Sequence, residues 1–114
     1  MSIKFASYGP VDVLSLSGKL MGGPEIGELH SAIKATLDKK VNHIVLDLKD
    51  VKWMGSVGIG ILICCLTTVR HAGGDLKLSG LSKKAKSLLV MTRLNNVFET
   101  FPRVDSAVES FQKH

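Results

Sequence analysis

The chain is poor in the residues that build extracellular mini-domains and nucleic-acid platforms. Only two cysteines occur among its 114 residues, and they are neighbours, Cys64 and Cys65. Adjacent cysteines do not easily reach ordinary disulfide geometry, and no second pair exists to frame a disulfide scaffold. Aromatic residues make up 5% of the chain, without the basic-aromatic interleaving that stacks single-stranded bases. The net charge is +5, yet basic residues gather only at Lys39-Lys40 and between Lys83 and Lys86. A solvated basic face is therefore expected, and no nucleic-acid partner. The longest apolar run, Ile59 to Leu66, is broken by Gly60 and is far too short to span a bilayer, so no membrane insertion is expected. No secretory leader is read at the start, Met1-Ser2-Ile3-Lys4-Phe5, and a reducing cytoplasm is the expected location.

What is present is hydrophobic patterning that changes period along the chain. Ile3–Tyr8 and Val11–Ser17 are short runs either side of Gly9-Pro10, a turn dipeptide, which predicts a hairpin at a sheet edge. Gly18–Gly23 is read as a loop. Pro24 suits the first position of a helix, with Glu25 and Glu28 near the positive end of its dipole. Ile26, Leu29, Ile33 and Leu37 then share one helical face, predicting a helix to about Lys40. His43–Leu48 is apolar at nearly every position, the pattern of a central strand buried on both faces. Lys49–Met54 reads as its exit loop. From Ser56 to about His71 the pattern is helical and apolar almost all round, predicting the most buried helix.

Further on, Ala72-Gly73-Gly74 ends that helix by glycine termination. Leu76–Leu78 is a further strand, and Ser82 is placed to cap a third helix. Asn95-Asn96 turns the chain into a short strand, Val97–Phe101. Pro102 introduces a last helix capped by Asp105 or Ser106, the latter in capping-box spacing with Glu109. Phe98, Phe101, Phe111 and Val97 read as core, and both cysteines as buried helix residues. The order of elements gives an α/β fold, a sheet with helices packed on it.

Enzyme motifs are incomplete. A nucleophile elbow needs glycine where Met54 stands; the glycines Gly55, Gly58 and Gly60 run in the reverse order of a dinucleotide fingerprint; no phosphate-binding loop occurs. His30, His43, His71 and His114 have no partner at ligand spacing. No catalytic residue, cofactor or metal is expected.

The densest functional signal is Trp53 to Gly60, where a buried strand hands over to a buried helix. A serine hydroxyl there sits at a helix N-terminus, favourable for an anion, including a phosphate carried by the serine itself. Equally, Ser56 could serve as a simple N-cap while Gly58 and Gly60 relieve packing. Trp53 is read either as an interface anchor or as core.

Taken together, HIVLDLKDVKWMGSVGIGIL (His43 to Leu62), LKLSGL (Leu76 to Leu81), LNNVF (Leu94 to Phe98) and Phe101-Pro102 resemble the STAS family across nearly the whole chain, and in particular bacterial anti-sigma factor antagonists. The resemblance implies a single domain over residues 1–114, with a mixed sheet of four to five strands and about four helices. It implies a protein partner, an anti-sigma factor with serine kinase activity, and phosphorylation of the serine that opens the second helix, here Ser56. The partner face would include Met21, Trp53, Gly55, Ser56, Val57, Gly58 and Ile59; a homodimer is compatible with it. Gly55 replaces the aspartate usual before that serine, Met21 replaces an acidic residue common after Gly18-Lys19-Leu20, and Val57 replaces a small polar residue. A constitutive STAS subunit of a transporter or signalling complex, not phosphorylated, is the alternative.

Overall fold

The computed structural model describes residues 2–20 and 24–112. Alternating runs at the start give β1 (Ser2–Tyr8) and β2 (Val11–Leu20), an antiparallel hairpin turned at Gly9, whose φ of 66° suits a residue without a Cβ. There follow α1 (Pro24–Asp38), β3 (His43–Met54), α2 (Ser56–His71), β4 (Asp75–Ser79), α3 (Lys83–Met91), β5 (Thr100–Phe101) and α4 (Val104–Gln112). The five strands lie in the order β1-β2-β3-β4-β5, and every pair after the first is parallel. The run His43–Leu48 is central, as its unbroken hydrophobicity predicts.

Strand side chains alternate between two cores of different character. Leu14, Leu16, Ile44, Leu46, Leu76 and Leu78 point into the larger core. There they meet Leu29 and Ile33 of α1, Leu62 and Leu66 of α2, and Leu89 of α3. Val11, Val13 and Val45 point the other way, against Ala107, Val108 and Phe111 of α4. The α4 side is polar at its margins. Lys77 is 6% exposed; its Nζ donates to Ser110 Oγ at 2.7 Å and lies 4.3 Å from the Phe111 ring centroid. His43 stacks on the same ring at 4.7 Å.

Several expected boundaries move. β2 and β3 run past Ser17 and Leu48, so the expected loops 18–20 and 49–54 are strand, while 21–23 lie outside the described residues. The two extensions pair with each other up to Leu20↔Met54, with register irregularities at Ser15/Ser17 and Gly18/Lys19. Exposed Lys49, Asp50 and Lys52 gave this part of β3 the look of a loop, yet Val51 between them is buried. α1 stops at Asp38, where Lys40 takes a φ of 69°. β5 keeps two residues because the turn after α3 continues, with the N–H groups of Val97 and Phe98 bonded back to Leu94 O. Val97 is consequently exposed, while Phe98 is core. α4 starts ahead of its expected caps: Ala107 N–H donates to Arg103 O, so Asp105 and Ser106 sit inside the first turn. Ser82 does cap α3, accepting from Ala85 N–H at 3.1 Å.

Candidate functional site

The site forms where β2 and β3 end and α2 begins. Pairing of Leu20 with Met54 brings the two strand ends level, and α2 starts two residues later. Gly55 is the N-cap, with φ −108° and ψ −173°, an extended conformation open to any residue, and it makes no side-chain cap. Ser56 is thus the first helical residue, exposed to solvent, and not the cap. The first turn of α2 carries no acidic residue, so the partial positive charge of its free N–H groups is not offset there.

Four of the sequence-derived candidates share this surface. Trp53 is 55% exposed and Val57 53%, with Gly55 and Ser56 between them. Two others turn inward. Ile59 belongs to the larger core, and Gly58 is buried, with no room for a Cβ because Leu20 O and Met54 Cγ stand against it. Gly58 therefore serves the join between α2 and the end of β2 rather than offering a bare patch to a partner. Met21 lies outside the described residues.

Two depressions reach this surface, one at Trp53 and one at Val57. One, of about 190 Å³, runs between the end of β3 and the start of α3, lined by Trp53, Lys52, Ser82 and Lys84 among others. Lys84 Nζ lies 5.7 Å from the Trp53 ring centroid, within cation–π reach. The other, of about 500 Å³, is a shallow groove between α1 and α2, lined by His30, Val57, Gly60, Ile61, Cys64 and Cys65. Gly60 has nothing within 4 Å of a Cβ placed on it, so it faces open space. Cys64 is exposed, against the expectation that both cysteines are buried, whereas Cys65 is buried. Burial, and secondarily Cys64 beside it, pushes the Cys65 thiol up to about 12.

Gly60 lies at the end of the Trp53–Gly60 signal, whereas His30, Cys64 and Lys84 were not recognised as part of this region from the sequence. The signal for the groove was present in α2 itself, which is apolar on more of its circumference than one sheet covers. No group of three or more metal-ligating side chains occurs among the described residues. No helix among them is long and apolar enough to cross a membrane.

Comparison with known proteins joins this geometry to a family. The STAS domain family model matches residues 3–107. An anti-sigma-B factor antagonist of Bacillus subtilis is 32% identical over 62 residues, covering 54% of this chain and 57% of that protein, so the match spans little more than half the relative's length. An anti-sigma factor antagonist from Mycobacterium paratuberculosis has the same fold, with a TM-score of 0.84 at 23% identity over 98% of this chain and 94% of that one. So does the Bacillus cell fate determinant SpoIIAA in its phosphorylated form, with a TM-score of 0.74 at 13% identity over 96% of this chain and 99% of the other. With five strands and four helices in place and the match running from β1 into α4, the chain belongs to the STAS domain family.

Proposed function

We propose that this protein is an anti-sigma factor antagonist that works by partner switching, binding an anti-sigma factor with serine kinase activity and released when that kinase phosphorylates Ser56. On this reading it acts in the cytoplasm by binding, not by catalysis, and needs no cofactor or nucleic acid. The observation that carries the proposal is the placement of Ser56. It is exposed at the first residue of α2, with Trp53 on one side and the groove of Val57, Gly60 and Cys64 on the other.

The switch follows from charge. An unmodified face of this kind is largely apolar and can be desolvated against a partner. A phosphate adds about −1.5 to −2 charges and three acceptor oxygens at the middle of it. The helix N-terminus tolerates that charge within the free protein, so the fold is kept. A partner surface packed on it would have to desolvate the dianion, and each 1.4 kcal/mol lost is about tenfold in affinity. The exposed Lys52, Lys83 and Lys84 near the same face favour an acidic rim on the partner.

The second reading, a constitutive STAS subunit, is favoured by one observation: the first turn of α2 has no carboxylate for a kinase to recognise, with Gly55 and Val57 flanking Ser56. One experiment separates the two. Partner captured from the native cytoplasm is titrated with wild type, Ser56→Ala and Ser56→Asp, with and without ATP. A switch loses at least tenfold affinity with Ser56→Asp, and ATP lowers wild-type binding while leaving Ser56→Ala unaffected. Equal affinity of all three folded proteins, with no ATP response, makes the constitutive reading the correct one.

A further inference from the structure

The two edges of the sheet are finished differently. β5 has two residues and is packed by α4. β1 has seven, pairs with β2 along its whole length without a bulge, and has no neighbouring strand on its outer side among the described residues. Every residue of β1 except Ile3 is exposed, including Phe5 at 55% and Tyr8 at 46%. Exposed edges are ordinarily guarded by shortness, bulges, proline or several charges, because every second residue turns its N–H and C=O outward. β1 has no proline and a single charge, Lys4.

We infer that β1 is a self-association edge, at which two copies of this chain pair β1 against β1, antiparallel about a twofold axis, into one continuous ten-stranded sheet. The sequence of the strand selects both the occupant and the register. A twofold axis through Phe5 pairs the entire strand: Ser2 with Tyr8, Ile3 with Ser7, Lys4 with Ala6, and Phe5 with its own copy. The two exposed rings then cover each other in a direct cross-strand pair, the strongest contact such a ladder offers. Phe5 lies opposite Leu14 and Ile3 opposite Leu16, so the ring pair would extend the larger core across the axis, beyond what α1 covers. On the other face Lys4 meets a small Ala6, with the partner's Tyr8 on one diagonal and the partner's Lys4 on the other, so the like charges are kept out of direct opposition. An axis through Lys4 would instead set like charges opposite each other, and an axis through Ala6 shortens the ladder and separates the rings. A second copy supplies this complementarity from residues already present. Ser56 is not on this strand, and the proposal does not depend on the switch.

The test is the mass in solution of the full chain, by sedimentation equilibrium from micromolar to submillimolar concentration. A reversible dimer is expected. It should tighten with added salt, because two copies of net charge +5 repel each other. Phe5→Lys, at an exposed site and checked by circular dichroism, should weaken it at least tenfold. Register is read in a Cys64→Ser background by mixing Lys4→Cys with Ala6→Cys: mild oxidation should cross-link the mixture and neither variant alone. A monomer at every concentration, a dimer indifferent to Phe5→Lys, or cross-links formed equally well by each variant alone would overturn the proposal.

Discussion

The two flanks of α2 are built from the same kinds of residue and do opposite things. On the inner flank Gly58, Ile59, Leu62, Leu66 and Val69 are buried against the sheet. On the outer flank Val57, Gly60 and Cys64 stand exposed in the groove beside α1. Gly58, on the inner flank, is pressed against Leu20 O while Gly60 faces open space, and of the two cysteines at the groove Cys65 is enclosed while Cys64 is not. Residue type therefore does not tell packing from docking in this helix; position relative to the sheet does. An apolar outer flank lowers solubility for no gain to the fold, so its presence needs a reason outside the fold.

The sharpest way to break the comparison is thiol chemistry. In native protein near pH 8, an alkylating reagent should modify Cys64 readily, and Cys65 slower by on the order of a thousandfold, because Cys65 reacts only through opening of the structure. The same burial gives a pH dependence. Cys65 is raised from 9.0 to about 12, so its neutral thiol supports the fold fully below about pH 9. That contribution is lost as the unfolded chain ionises between about pH 9 and 12, and Cys65→Ala should flatten the decline. Comparable labelling of both cysteines would show the two flanks to be alike.

Next in size come the glycines. Gly58→Ala should destabilise by about 2 kcal/mol, since the added methyl meets a backbone carbonyl that cannot swing aside. Gly60→Ala should stabilise by about 1 kcal/mol, the ordinary gain of alanine over glycine in a helix with free space around it. Urea unfolding of the two variants would report opposite shifts in midpoint. Two shifts of the same sign would contradict the assignment of the flanks.

Much of this frame was legible in the residues. The solid hydrophobic run His43–Leu48 placed the central strand, and the span Ser56–His71 was readable because helical periodicity and the Gly73-Gly74 stop agree. The failures have two causes, tertiary pairing that overrode local pattern and a turn that ran on past its expected end. Lys49, Asp50 and Lys52 read as loop, but pairing with the extension of β2, through two register irregularities, keeps β3 in the sheet to Met54. Val97 read as core together with Phe98 and Phe101, while a continuing turn directs only Phe98 of the first two inward. At the site, Trp53, Gly55, Ser56 and Val57 were found at the surface. Gly58 and Ile59 were not, because spacing along a helix does not say which flank meets the sheet. The groove residues His30 and Cys64 come from two helices, and no single segment carries that juxtaposition.

The smallest effect is also the most discriminating one at Ser56. A serine at a helix start is commonly an N-cap, and its loss then costs about 1 kcal/mol. Here Gly55 occupies the cap and, among the described residues, no side-chain bond to a first-turn N–H group is present. Ser56 is one residue inside, where alanine is at least as good a helix former. Ser56→Ala should therefore change stability by less than about 0.5 kcal/mol in either direction, as surface substitutions without a structural role do. Thermal and urea unfolding of the single variant decide it. A loss near 1 kcal/mol would mean that the hydroxyl holds the helix start and that serine is needed there for structure alone. A negligible change leaves the hydroxyl without a part in folding, so that any loss of ATP-dependent release in the same variant belongs to the switch.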